Sequence, residues 1–283
     1  MIYAKLMIVK SDLINRKEIS MLIDFHTHAF APKIAARAIE KLTVTCETQP
    51  LSDGTAEDTL RLMDKWGVDR AVLLPIATKP TQHGVINSWA KEMDGGRFVS
   101  FGSVYPKSEE ALEVLAEIKA LGLHGVKLHP DYQDFFVNER ELDPFYDELE
   151  RLELPVVFHA GVDPVSPDCV HCEPEAAADM LSRHKGLRVI FAHLGGNEQW
   201  QRSLENICGT EGEVYLDTAY SLYCPDELML KIIRKHGAER VLFASDCPWA
   251  PADKTLEKLR RLGLTDSELE LITHRNAERL LNL

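Results

Sequence analysis

The sequence lacks any apolar run close to the roughly 18–20 residues that span a bilayer, which excludes a transmembrane helix. It is also short of positive charge, because 32 Lys and Arg residues stand against 45 Asp and Glu residues, a formal net charge of −13. A chain of this sign repels polyanions, so we expect no nucleic-acid partner and no binding to an anionic membrane. Cysteine is scarce too. Six cysteines in 283 residues argue against a disulfide scaffold and for a reducing compartment.

The first twenty residues lack the features of a signal peptide. Lys5 and Lys10 interrupt their apolar stretch, and no small-residue cleavage site follows. We therefore expect a cytoplasmic protein, in which residues 1–20 are an N-terminal extension or precede a true start at Met21. Residues 21–283 contain no low-complexity segment and no linker, so we expect one domain there. A homodimer is the alternative to a monomer that the sequence leaves open.

From Met21 onward, short apolar runs alternate with longer amphipathic stretches. The apolar runs predict eight strands, at residues 22–26, 71–75, 99–104, 125–129, 156–159, 189–193, 214–217 and 241–245. Helical patterns lie at residues 109–121, 142–152, 175–184, 228–236, 254–262 and 266–283. The polar residues 42–59 predict a long first loop, which would lie over the mouth of the barrel that these elements predict.

This alternation decides the predicted fold. Continuously apolar strands separated by helices imply a parallel sheet that is covered on both faces. Eight such units in about 250 residues are typical of a (β/α)8 TIM barrel, which we expect as a single domain. An open doubly wound sheet is the competing fold, but the Gly-x-Gly-x-x-Gly turn is absent after the first strand.

Side chains that can bind a metal ion or carry a proton stand at the ends of four predicted strands. These residues are His26 and His28 at the first strand, His159 at the fifth, His193 at the sixth and Asp246 after the eighth. The carboxyl ends of barrel strands form the face on which barrel enzymes build active sites. Three imidazoles and one carboxylate can hold one zinc-like ion and leave a position for water.

In combination, the motifs IDFHTH, GVKLHP, FHAG, FAHLGG, FASDCPW and RNAERLL resemble the amidohydrolase superfamily, in particular its amidohydrolase-2 branch. The resemblance covers Met21 to the C-terminus. It implies that His26, His28, His159 and Asp246 bind a single divalent metal, usually zinc with manganese as the alternative, and that His193 is catalytic. Asp246 would also accept the proton of the attacking water.

Two side chains of the fourth strand, Lys127 and His129, share one face and are candidate substrate-binding residues. Some superfamily members carry a carboxylated lysine here that bridges two metals. In that alternative, Lys127 would be the bridge and His193 would bind the second ion. Asp24 lies two residues before His26, and we therefore expect it deeper on the same inward face, whereas Asp217 lies on the seventh strand. Either carboxylate is a candidate acceptor for a ligand histidine or a structural group.

The Cys169-x-x-Cys172 pair has metal-ligand spacing, but no second such pair exists, so we expect two reduced thiols. The function that follows is metal-dependent hydrolysis of a C–N or C–O bond in a small organic substrate. The alternative is a metal-dependent, non-oxidative decarboxylase that acts on a small carboxylic acid. A metal-binding barrel without catalysis is the third hypothesis.

Overall fold

The computed structural model describes residues 19–283, and residues 1–18 of the predicted extension lie outside the described part. Its strands are β1 (Ile23–Thr27), β2 (Arg70–Leu73), β3 (Phe98–Ser100), β4 (Gly102–Ser103), β5 (Val126–Leu128), β6 (Val156–Phe158), β7 (Val189–Phe191), β8 (Val214–Asp217) and β9 (Val241–Leu242). Its α-helices are α1 (Pro32–Cys46), α2 (Ala56–Trp66), α3 (His83–Met93), α4 (Ala111–Ala120), α5 (Pro130–Gln133), α6 (Asp143–Arg151), α7 (Pro174–Arg183), α8 (Trp200–Asn206), α9 (Asp226–His236), α10 (Ala252–Arg261), α11 (Asp266–Glu270) and α12 (Asn276–Leu281).

Short helical turns complete the described residues. The 3-10 turns are Pro80–Gln82, Arg140–Leu142, His193–Gly195, Ser221–Tyr223 and Ala238–Arg240, and a π-helix spans Leu271–Arg275. Within residues 19–283, none of the helices has both the length and the apolarity needed to cross a membrane.

All eight predicted strands are present and pair in parallel, but the third is broken into β3 and β4. The break lies at Phe101, whose N–H donates to the Leu73 carbonyl at 3.0 Å. The next N–H, of Gly102, donates to Gly125 at 2.8 Å, so this run changes its partner from β2 to the segment before β5. Predicted strands four to eight therefore correspond to β5–β9.

Hydrogen bonds between β1 and the segment that follows β9 close the ring. The Phe25 N–H donates to the Phe243 carbonyl at 2.8 Å, and the Asp246 N–H donates to the His26 carbonyl at 3.0 Å. A parallel bridge between Thr27 and Cys247 continues this seam. Together with the two sheets β1–β2–β3 and β4–β9, the seam gives the predicted (β/α)8 arrangement.

Two apolar clusters fill the fold. The larger lies between the strands and the surrounding helices, whereas the smaller contains side chains from the inner face of the ring, such as Val72, Val157 and Ile190. Helix α12 adds Leu280 and Leu281 to this inner cluster, and Met21 packs against it. The start of the barrel and its last helix therefore share one core.

Two predicted boundaries are wrong in detail. Residues 42–46 belong to the last turns of α1 and residues 56–59 to the first turn of α2, so the predicted loop 42–59 is limited to residues 47–55. Several strands also end earlier than predicted, because the backbone leaves the sheet at the site residues. His129, for example, donates its N–H to Gln133 Oε1 at 2.9 Å instead of continuing β5.

Candidate metal centre

A β-bulge in β1 aims the first histidine into the barrel. Asp24 pairs in register with Ala71, but Thr27 pairs with Leu73, so one extra residue of β1 lies between them. Bulges redirect side chains, and this one places both Phe25 and His26 on the inner side. The prediction that Asp24 shares the face of His26 is wrong for this reason.

His26 in β1 and His28, which directly follows this strand, both present Nε2 to the barrel interior. His26 Nδ1 lies 2.7 Å from Asp217 Oδ2, and His28 Nδ1 lies 2.9 Å from the Leu74 carbonyl. A carboxylate or a carbonyl can only accept, so each Nδ1 must carry the proton and donate it. The lone pair of each ring is then on Nε2, where a metal ion can use it.

His26, His28 and Asp246 form a triangle of ligand atoms. Its edges are 3.2 Å between the two Nε2 atoms, 3.5 Å from His26 Nε2 to Asp246 Oδ1 and 3.3 Å from His28 Nε2 to the same oxygen. Ligands about 2.0–2.1 Å from a tetrahedral zinc ion lie about 3.3 Å from one another. The three edges therefore fit a common ion.

The electrostatics of the triangle suit a cation. Burial, together with the nearby Lys127 charge, lowers the pKa of His26 well below its ordinary value, which keeps this imidazole neutral. Burial alone would raise the pKa of Asp246, but the contact with the His28 ring and the neighbouring positive charge of Lys127 outweigh it, so this pKa is lowered. A neutral imidazole and an ionised carboxylate are the states that bind metal.

Asp217 is the hydrogen-bond acceptor for the ligand histidine His26, which is one of the two roles considered for it from the sequence. Its Oδ2 accepts the His26 Nδ1–H, and its Oδ1 accepts the backbone N–H groups of His193 at 2.9 Å and Ala219 at 3.0 Å. Asp24 instead accepts the backbone N–H groups of His26 and Ser245 and the Ser245 hydroxyl. Asp24 is thus a structural group of the closing seam.

Lys127 is fully buried, with Nζ 3.4 Å from His26 Nε2. Burial lowers the pKa of its ammonium group to about 8, although the carboxylates Asp217 and Asp246 oppose this shift. It therefore remains mostly protonated at neutral pH, and it places a cation beside the triangle. This position fits the predicted contact with an anionic substrate group.

His193 and His159 lie against each other on neighbouring strand ends. His193 donates its Nδ1–H to the Ala219 carbonyl at 3.0 Å, and its Nε2 lies 3.0 Å from His159 Nδ1. The His193 ring also lies 5.5 Å from that of His26, centroid to centroid. His159 belongs to a second group of possible ligands, with His129 and Asp163, and not to the first triangle. The structure therefore brings three of the four predicted ligands together.

The sequence did not single out Asp163 as a site residue. Asp163 is buried and lies four residues after His159, in the loop that follows β6. An acidic residue so close to a strand end was a usable signal. Cys46, the last residue of α1, is half-buried and hydrogen-bonds to Tyr132, which follows β5. The end of α1 thus lies over the mouth, where residues 42–59 were predicted to lie, although as the end of a helix and not as a loop. Cys169 and Cys172 are free thiols, as predicted.

Comparisons with solved structures agree with this architecture. A TIM-barrel protein from Bordetella bronchiseptica, Bb4693, is 21% identical and aligns with a TM-score of 0.73 over 93% of this chain and 98% of its own. A 2,6-dihydroxybenzoate decarboxylase from Rhizobium is 16% identical, with a TM-score of 0.71 over 93% and 98%. A probable 2-pyrone-4,6-dicarboxylic acid hydrolase from Acinetobacter baumannii is 17% identical, with a TM-score of 0.63 over 93% and 99%.

At these identities the structural likeness shows the fold alone. A comparison with curated proteins gives no match. The family comparison is more specific, because the model of the family Amidohydro_2, described as amidohydrolase, matches residues 23–283. This match covers the bulged first strand, the ring of strands and the last helix, and the chain therefore belongs to the amidohydrolase-2 family.

Proposed function

We propose that this protein is a metal-dependent hydrolase that cleaves a C–N or C–O bond in a small organic substrate carrying an anionic group. The triangle of His26, His28 and Asp246 carries the proposal, because its three edges of 3.2–3.5 Å fit one divalent ion. Two imidazole nitrogens and a carboxylate suit zinc first and manganese as the alternative. With three protein ligands, the ion keeps a position for water or substrate.

A bound ion would act as a Lewis acid that acidifies water and polarises the bond to be cleaved. Asp246, whose lowered pKa keeps it ionised, would accept the proton of the attacking water and pass it to the leaving nitrogen or oxygen. His193 presents Nε2 toward His159 because its Nδ1–H is held by Ala219. Its Nε2 is thus the nitrogen available to move a proton. Lys127 would hold the anionic group of the substrate.

A second candidate function is non-oxidative decarboxylation of a small carboxylic acid. The observation in its favour is the buried Lys127 ammonium, 3.4 Å from His26 Nε2, which can hold a substrate carboxylate beside the triangle. In this reaction the C–C bond to the carboxylate breaks, CO2 leaves and the carbon takes up a proton. The structural likeness to a decarboxylase adds support through the fold only.

A substrate panel in H2¹⁸O separates the two reactions. Lactones, amides, esters and hydroxylated aromatic acids are incubated with zinc-loaded or manganese-loaded protein, and products and CO2 are measured together. Hydrolysis incorporates one ¹⁸O atom into the new carboxylate and releases no CO2. Decarboxylation releases one CO2 and incorporates no ¹⁸O into it beyond exchange with the solvent.

Variants connect the activity to the site. Asp246→Asn should lose at least about 100-fold in kcat, since a general base contributes at least that factor. Lys127→Met should raise KM for carboxylate-bearing substrates more than for neutral analogues. Asp134→Asn is the matched control, because this carboxylate is 95% exposed, and it should leave kcat unchanged. Turnover that needs no metal and survives Asp246→Asn would refute the proposal.

A further inference from the structure

A buried carboxylate lies beside the metal centre, at the mouth of the barrel. It belongs to Asp163, in the loop that follows β6, and it faces His129, which follows β5. Asp163 Oδ2 is 3.4 Å from His129 Nε2 and 3.6 Å from Nε2 of the predicted metal ligand His159. A substrate group bound at Asp163 would therefore lie next to the metal centre.

The surroundings of His129 place its proton on Nδ1. Asp131 Oδ2 lies 3.9 Å from this nitrogen, and within the described chain both atoms are buried without a hydrogen-bond partner. A carboxylate can only accept, so the nitrogen that faces it carries the proton. Burial, before any other cause, lowers the pKa of His129 well below its ordinary value, so the ring is neutral. Its lone pair is then on Nε2, the nitrogen that faces Asp163.

The loop after β6 holds Asp131 in this orientation. Asp131 Oδ1 accepts the Ser166 hydroxyl at 2.6 Å and the Nδ1–H of His171 at 3.0 Å. Both partners belong to the same loop as Asp163. This loop therefore fixes the direction of the His129 proton and also supplies the carboxylate that the ring faces.

Two hydrogen-bond acceptors consequently face each other across 3.4 Å. This separation exceeds the roughly 2.7–3.2 Å of a hydrogen bond, and neither His129 Nε2 nor Asp163 Oδ2 has a proton to give. Within residues 19–283, this nitrogen of His129 forms no hydrogen bond, although the residue is only 6% exposed. A buried polar group without a partner calls for an explanation. A hydrogen-bond donor brought by the substrate supplies one.

The charges around Asp163 favour a donor that is also a cation. Within residues 19–283, no lysine or arginine nitrogen lies within 4.0 Å of this buried carboxylate. Burial, and then the charge of Asp163, raise the pKa of the Cys46 thiol and of the Tyr132 hydroxyl, so both neighbours stay uncharged. Lys127 also interacts with Asp163, but two other carboxylates act on it more strongly. A buried carboxylate of this kind is stabilised when a positive charge joins it.

The loop also holds Asp163 in position for a ligand. Asp163 Oδ1 accepts the Val165 N–H at 2.8 Å, which leaves Oδ2 to face the histidines. Asn197 holds the loop from the other side, because it accepts the Val162 N–H at 3.0 Å and donates its own N–H to Ala160 at 2.8 Å. The carboxylate is thus in place before a ligand binds, which lowers the cost of ordering it.

We propose that Asp163 and His129 form a subsite that binds a primary ammonium group of the substrate. The carboxylate supplies the charge and one acceptor, and the Nε2 lone pair of His129 supplies a second, which suits a group with several N–H donors. This inference rests on the metal-dependent reaction proposed above and narrows its substrate to a molecule that carries an amino group as well as the anionic group at Lys127. His159 remains a predicted ligand of the metal centre.

Calorimetric titration of the zinc-loaded full chain tests this assignment with simple probes. β-Alanine, 4-aminobutyrate and 5-aminovalerate are compared with propionate, butyrate and pentanoate, which have the same chain lengths and no amino group. We expect at least one amino acid to bind about 10-fold more tightly than its partner, since a hydrogen bond to a charged group contributes that much. The neutral donor 4-hydroxybutyrate should show a smaller gain over butyrate.

Variants connect this preference to the subsite. Asp163→Asn should abolish it, because an NH2 group replaces the accepting oxygen while the remaining oxygen can still accept the Val165 N–H. Asp134→Asn is the matched control, since this carboxylate is 95% exposed, and it should keep the preference. Lys127→Met should weaken both members of each pair and keep their ratio. His129→Leu removes the second acceptor and should reduce the preference, and it repeats the test should Asp163→Asn fail to fold, as judged by circular dichroism.

Several results would overturn the subsite. Equal affinities of the amino acids and their partners at all three lengths would do so. A preference that Asp163→Asn keeps would mean that the amino acids chelate the ion itself. Zinc content, measured by mass spectrometry, should be equal in Asp163→Asn and the parent chain, and a loss would assign the carboxylate to the metal centre instead. Binding of 4-hydroxybutyrate as tight as that of 4-aminobutyrate would refute a cationic ligand.

The subsite and the proposed function can fail separately. If the amino acids show the preference and the substrate panel shows no turnover, the subsite stands and the proposed hydrolase fails. If substrates without an amino group are hydrolysed with the same KM by the parent chain and by Asp163→Asn, and no probe shows the preference, the subsite fails alone.

Discussion

At the scale of single residues, the direction of one proton decides whether His26 can bind a metal. Asp217 accepts the Nδ1–H of His26 at 2.7 Å, and its other oxygen accepts two backbone N–H groups. An asparagine at position 217 must use its oxygen for those N–H groups and would present its NH2 to His26. The ring would then carry its proton on Nε2, the nitrogen that faces the triangle.

We therefore expect Asp217→Asn to weaken binding of zinc by about 10- to 100-fold, the usual effect of losing such a supporting carboxylate. Competition with a chromophoric chelator measures this change. Asp24→Asn is the matched control, because Asp24 also contacts His26 but only at its backbone N–H. Equal losses in the two variants would contradict the role of the proton.

His236 provides a residue-scale prediction far from the metal ligands. Its Nε2–H donates to the Val214 carbonyl at 3.0 Å, and its Nδ1 accepts the Gly209 N–H at 3.4 Å, so the neutral ring uses both nitrogens. Burial lowers the pKa of His236 from 6.5 to about 4. Between these pH values the unfolded chain binds more protons than the folded protein.

The contribution of neutral His236 to the free energy of unfolding should therefore be fully present above about pH 6.5 and should decrease as the pH falls toward 4. This one residue contributes a loss that approaches about 3 kcal/mol. Urea unfolding at several pH values, compared with His236→Gln, measures the contribution. Glutamine can still donate to Val214 but does not titrate, so its curve should be flatter. Parallel curves for the two proteins would count against this explanation.

At the scale of elements, the loop after β6 depends on the absence of a side chain at Gly161. This residue has φ +87°, and a Cβ there would lie 2.1 Å from the Asn197 nitrogen and 2.4 Å from its carbonyl oxygen. Backbone atoms cannot yield as a flexible side chain can. Asp163 follows two residues later in the same loop.

Gly161→Ala should lower the free energy of unfolding by about 3 kcal/mol or more, the sum of overpacking and an unfavourable φ. Urea unfolding of the variant and of the parent chain measures this loss. Gly263→Ala is the matched control, because Gly263 has φ +77° but a Cβ there would meet nothing within 4 Å. Its loss should stay near 1–2 kcal/mol, the cost of the backbone conformation alone. Similar losses would mean that Asn197 moves away easily.

Sequence periodicity predicted the elements well, because buried parallel strands and surface helices differ in their apolar period. It did not predict the break at Phe101, where one continuous apolar run changes its hydrogen-bonding partner. Nor did it predict the bulge before Thr27, since an extra residue in a strand leaves no mark on an apolar run. Both features depend on pairing with strands distant in sequence.

At the scale of the whole molecule, the predicted TIM barrel and the predicted family are both confirmed. The parallel strands pair in the order in which they follow one another in the chain, and the family model matches residues 23–283. The residues of the site were predicted from their place at strand ends. Their division into two groups was not, because it depends on the loop that brings Asp163 to His129 and His159. Contacts between loops are set by tertiary packing and not by local sequence.

The closed seam has a further consequence for the order of the chain. β1 hydrogen-bonds to the segment after β9, and Met21 and α12 pack in the same inner cluster. A linker of about six Gly and Ser residues should therefore be able to join residue 283 to residue 21. New ends can be opened between Gly95 and Gly96, where an added Cβ would meet nothing within 4 Å.

Such a circular permutant should fold cooperatively and bind as much zinc per chain as the parent chain, as urea unfolding and mass spectrometry would show. A permutant opened between Gly161 and Val162 should unfold at a lower urea concentration, because it interrupts the backbone pairing with Asn197. Failure of the first permutant to fold would mean that folding requires β1 at the start of the chain. If it folds, the closed ring of strands does not depend on which strand comes first in the chain.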